Sequence, residues 1–169
     1  MNITRIGIVS VTGLGLALAF GCAPRKQVTE RDRKEAAHLV SEAQFATTIR
    51  EWGRAEALLA KAVQVAPMGD YWLSLGATRI RLNNRAGAKD AYQAALKAYA
   101  SDSAQHNTIS EPWLKQVYVL ALLGRQDESR AMIAKAAKLF PNDTKVRALM
   151  DPKEFEKMVS SQKFKDMAL

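Results

Sequence analysis

Small and large apolar residues recur along the chain at spacings of three and four, which gathers them on one face of a helix. Ala55, Leu59 and Ala62, followed by Pro67, set a pattern that returns as Ala88, Tyr92, Ala95 and Ala100, every offset being 33 residues. It returns again, 41 residues on, as Ser129, Ile133, Ala136 and Pro141. A second helix precedes each set, carrying Leu39 and Ala43, then Trp72, Leu75 and Gly76, then Trp113 and Val117. The chain therefore predicts three helix pairs, over about 36–67, 69–100 and 110–141. Turn-forming residues fall inside each pair, at Arg50-Glu51-Trp52-Gly53, Asn83-Asn84-Arg85-Ala86-Gly87 and Gly124-Arg125-Gln126-Asp127. Pro67, Pro112 and Pro141 lie at expected helix ends, where a missing amide is harmless. The polar stretch 101–110 (SDSAQHNTIS) lengthens one connection by about eight residues and predicts an exposed loop.

Two helices approach closely only where small side chains sit at their crossing, and Gly76, Ala88 and Ala95 supply them in the second pair, with Trp72, Leu75 and Tyr92 filling the space beside. On these residues the mature chain resembles the tetratricopeptide repeat family, the second unit most closely. The first unit has Leu39 where Trp is usual, and the third puts Val117 and Ser129 where small residues are expected. The resemblance implies an all-α solenoid of about three helix pairs, 30–142, and three such units are the smallest stack expected to be stable. After Pro141 the pattern changes. Asp143 to Met150 can form a short helix, Asp151-Pro152 starts another, and Phe155, Met158, Val159, Phe164 and Met167 make an apolar stripe. Residues 143–169 read as capping helices that cover the last repeat, with a partner-binding tail as the alternative.

The N-terminal segment has its own pattern. Met1 to Arg5 carries one positive charge, and Ile6 to Phe20 is an uncharged run of fifteen residues, as in an export signal. Counted on to Ala23 the run just reaches the length of a membrane span, so an uncleaved anchor is the alternative. Ala19-Phe20-Gly21-Cys22 resembles the lipobox of bacterial lipoproteins, in which a small residue precedes a Cys that is acylated and becomes the mature N-terminus. Gly21 fits that pattern, whereas Ala19 and Phe20 stand where Leu and a small residue are usual. The resemblance implies a signal peptide over 1–21, lipidation of Cys22 and a tether over 22–29. Ala23, not Asp, after the Cys implies sorting to the outer membrane, on its periplasmic face. Cys22 is the only cysteine, so no intramolecular disulfide is possible, and the bland alternative is an incidental residue near an ordinary cleavage site.

Composition adds a bias. With 25 basic against 17 acidic residues the formal charge is +8, which favours anionic partners without choosing among them. Lys and Arg are spread over every expected helix instead of gathered on one face, so nucleic acid is not expected. His38 and His106 have no second ligand at metal spacing, and no phosphate loop or nucleophile elbow occurs. No catalytic residue, metal or cofactor is expected. In the tetratricopeptide family the first helix of each unit lines a groove that holds a peptide or partner helix. Carried over unit by unit, the resemblance implies a wall of Val40, Gln44 and Thr48, then Leu73, Ala77 and Arg81, then Leu114, Tyr118 and Leu122. These residues can equally pack on neighbouring helices, or the chain's own C-terminal helix can fill the groove. The function expected is a membrane-anchored scaffold of the cell envelope binding a protein or peptide, the alternative being direct binding of an anionic envelope polymer or lipid.

Overall fold

A computed structural model describes residues 28–169 of the protein. The signal-like segment, Cys22 and most of the expected tether lie outside the described residues. Within them the chain is all-α and solenoid-like, with helices α1 (Glu30–Thr48), α2 (Trp52–Val65), α3 (Gly69–Arg81), α4 (Arg85–Gln105), α5 (Glu111–Leu122), α6 (Gln126–Leu139), α7 (Thr144–Met150), α8 (Pro152–Ser160) and α9 (Gln162–Lys165) packed in consecutive order. A capping box starts α1: the Thr29 hydroxyl accepts from the Asp32 amide at 3.1 Å while the Asp32 carboxylate accepts from the Thr29 amide at 2.9 Å.

The repeat is visible in backbone geometry as well as in side chains. α1, α3 and α5 each end with a residue in the left-handed region, Arg50 (φ 62°), Asn83 (φ 58°) and Gly124 (φ 73°). Each is followed by an amide that reaches back across the last turn, Glu51 to Ala46 O (2.9 Å), Asn84 to Arg79 O (2.8 Å) and Arg125 to Leu120 O (2.9 Å). This is the helix stop in which a left-handed residue lets two amides satisfy orphan carbonyls. Gly and Asn enter that region cheaply; Arg50 does so against its steric preference.

Within the pairs, the small residues sit where the helices cross. A Cβ built on Gly76 would lie 2.5 Å from Cδ1 of the fully buried Tyr92, and one on Gly69 2.6 Å from Cδ1 of Tyr99. The two departures in the third unit answer each other: Ser129 is buried against α5 and donates to the Val117 carbonyl at 2.8 Å. Apolar side chains merge into adjoining clusters, one around Ala43, Leu59, Val63, Leu75 and Ala91, another joining Tyr92, Val117, Leu122 and Ile133 to Phe155 and Phe164 of the C-terminal helices.

One connection differs from expectation. The stretch 101–110 is not a loop throughout: α4 continues to Gln105, leaving only 106–110 outside helices. Nothing in 101–105 breaks a helix, and the extension is held from the side. Buried Gln116 of α5 donates to Ser103 Oγ at 3.1 Å, with the Tyr99 and Pro112 carbonyls at 3.4 and 3.3 Å. A Ser-rich segment that reads as loop becomes helix once its hydroxyl has a buried partner.

Candidate functional groove

Between α1 and α3 the fold leaves a cavity of 460 Å³. Val40, Gln44 and Thr48 face it from α1, Ala77 and Arg81 from α3, so five of the expected wall residues share one site. Trp52 and Leu59 of α2 close its floor, joined by Met167 from the chain's last residues. Trp52 was not among the expected wall residues, because its position beside Gly53 reads as a turn; in the fold it is the first residue of α2, and the Arg81 guanidinium lies 5.9 Å from its ring centroid.

The remaining expected wall residues are placed differently. Leu122 is fully buried, and its carbonyl accepts from the Leu169 amide at 3.0 Å. Leu73 and Tyr118 are half-buried in the cluster formed with Phe164, Met167, Ala168 and Leu169. Leu114 is half-buried and lines neither this cavity nor the larger one at the opposite end of the helices. The C-terminal segment thus covers the groove beside α5 and leaves it open between α1 and α3.

That cover is built from specific contacts. Phe164 is buried edge-on against Tyr118, centroids 5.6 Å apart at 86°. Tyr92 donates from its phenol to the Met167 carbonyl at 2.7 Å, and Tyr118 points its hydroxyl at the Met167 sulfur at 4.0 Å. Burial, and then the neighbouring Tyr118, push the Tyr92 phenol well above its ordinary pKa, so it remains a neutral donor. At the border with the open cavity, Arg81 pairs with Asp166 at 2.9 Å. A hydrogen bond from Gln162, then one from Arg81, holds the Asp166 carboxyl below its usual range.

The opposite end of the helices has a larger, more polar cavity of 850 Å³ near Met68, Asp70, His106 and Ile109. Three of its charged groups form one network with Tyr99: Tyr99 donates to Asp70 at 2.5 Å, and Lys115 reaches Asp70 at 2.9 Å and Glu111 at 3.1 Å. Burial alone would lower the Lys115 pKa, but its hydrogen bonds to Asp70 and Glu111 outweigh that and raise it. His38 lies on the exposed side of α1 and contacts Glu42 at 3.1 Å. Among the described residues no group of three or more His, Cys, Asp or Glu is placed to hold a metal ion, and no helix is long and apolar enough to cross a membrane.

Neither the protein-family models nor the curated proteins contain a match to this chain.

Proposed function

We propose that this protein is a tetratricopeptide-type interaction scaffold, anchored to the bacterial envelope through a lipid on Cys22, that binds a segment of another protein in the cavity between α1 and α3. The observation that carries the reading is the cavity itself. Its apolar lining of Val40, Leu59 and Trp52 is bordered by the polar ends of Gln44 and Thr48 and by the cation of Arg81. A mainly apolar concavity with a few convergent polar groups is the usual form of a recognition site, and a cavity between helices suits a peptide whose anchors fill it in succession.

Binding is tested by placing a photo-reactive amino acid at Thr48 in cells and comparing adducts with and without Ala77→Arg, which fills the cavity. A partner adduct that disappears with Ala77→Arg supports the groove; an adduct indifferent to it refutes groove binding. Anchoring is tested by intact mass and fractionation of the native protein beside Cys22→Ala. Acyl mass, an N-terminus at residue 22 and membrane association that all depend on Cys22 support the anchor, and a soluble unacylated wild type removes it. The basic excess of the chain favours a second reading, direct binding of an anionic polymer or lipid; retention on such a surface that survives high salt would refute its mainly electrostatic form.

A further inference from the structure

The contacts made by the C-terminal residues say what kind of segment the open cavity receives. Arg81 is the charged side chain among those lining the cavity, and its carboxylate partner is Asp166, which lies 85 residues away in the sequence. The next residue, Met167, is itself part of the cavity lining. The chain's own Asp166-Met167 therefore occupies the border of the site as an acidic residue followed by an apolar one. Burial divides the C-terminal segment in two. Phe155 and Phe164 are buried to 1% and 5% exposure and belong to the core, while residues 166–169 are only half-buried. The Arg81 and Asp166 side chains remain 45% and 32% exposed in their pair. Partly exposed pairs of this kind add little net stability and exchange partners readily.

We propose that the groove's ligand is a protein segment in which an acidic residue precedes an apolar one, and that Asp166-Met167 holds this position in the free protein, Arg81 exchanging the Asp166 carboxylate for the ligand's on binding. Phe155 and Phe164 stay in place as the fixed part of the cap. The apolar side chain of the ligand then enters the space lined by Val40, Trp52 and Ala77. The inference rests on the groove reading above and adds to it the ligand's chemistry and its internal competitor.

The test uses full-length protein and, as probe, a synthetic peptide with the sequence of residues 161–169, followed by NMR at the Trp52 indole N–H and the Arg81 Nε–H. Asp166→Asn weakens the internal competitor without emptying the core, and should bind the peptide about two- to fivefold more tightly than wild type, the range that one partly exposed ion pair allows. A peptide with Asn in place of its Asp should lose that gain on the same variant, and Arg81→Gln should bind the two peptides alike. Equal binding of the acidic and amide peptides to Asp166→Asn, or no shift at Trp52 and Arg81 with either, overturns the proposal. If the Thr48 adduct still depends on Ala77 in that case, the groove reading stands and only the acidic-apolar specificity falls; if that dependence is also absent, both fall.

Discussion

Gly76→Ala is the substitution that tests the packing most sharply, because two effects of known size oppose each other there. In the middle of α3, replacing Gly by Ala should by itself stabilise a helix by about 1 kcal/mol. The added methyl, however, would sit 2.5 Å from Tyr92 Cδ1 and closer still to Cε1, inside any real contact distance. The ring has little room to yield, since it is fully buried and its hydroxyl is tied to the Met167 carbonyl. Overpacking of this kind costs up to about 3 kcal/mol, and losing the phenol's hydrogen bond adds about 1 kcal/mol, for a net destabilisation of about 3 kcal/mol. For a domain of this size that lowers Tm by roughly 10 °C. The assay is urea and thermal unfolding beside Gly53→Ala, where a Cβ meets nothing within 4 Å and the helix preference alone operates. Gly76→Ala matching Gly53→Ala, or exceeding wild type, would refute the reasoning that small residues at the crossings set the spacing of the pairs.

The equivalent turns make a second comparison: Arg50→Gly should stabilise by about 1 kcal/mol and Gly124→Ala destabilise by a similar amount, both read by urea midpoint, because both positions require positive φ. Gln116→Leu should cost roughly 1–2 kcal/mol and raise amide exchange over residues 103–105, since the buried amide pins the end of α4 to α5. Asp166 titrates below its ordinary value in the fold, so its contribution is fully present above the unfolded carboxyl pKa of about 4 and is lost as pH falls through the lower folded value. Protection of the Ala168 and Leu169 amides should accordingly be level from neutral pH down to about 4 and decline below it, whereas in Asp166→Asn it should show no such decline.

What could be read from the sequence was what is local or periodic. The three- and four-residue spacing of small and apolar side chains located the helix pairs, and the offsets of 33 and 41 reappear in the left-handed residues Arg50, Asn83 and Gly124. Five wall residues expected of the first and second units share one cavity, because helix register carries from one unit to the next. The covered half was not legible. Leu122 has the right register but lies under Leu169, and pairings such as Arg81 with Asp166 or Tyr92 with Met167 join residues with no shared local pattern. Residues 101–105 misled for a related reason: their polarity reads as a loop until Gln116, from the next helix, supplies the partner for Ser103.

The measurement closest to the central claim is photo-crosslinking from Thr48 in living cells, with the adduct's partner segment sequenced. One dominant adduct is expected, lost with Ala77→Arg, whose crosslinked segment carries an acidic residue just before an apolar one. Crosslinks spread over unrelated proteins, or undiminished by filling the cavity, would contradict it.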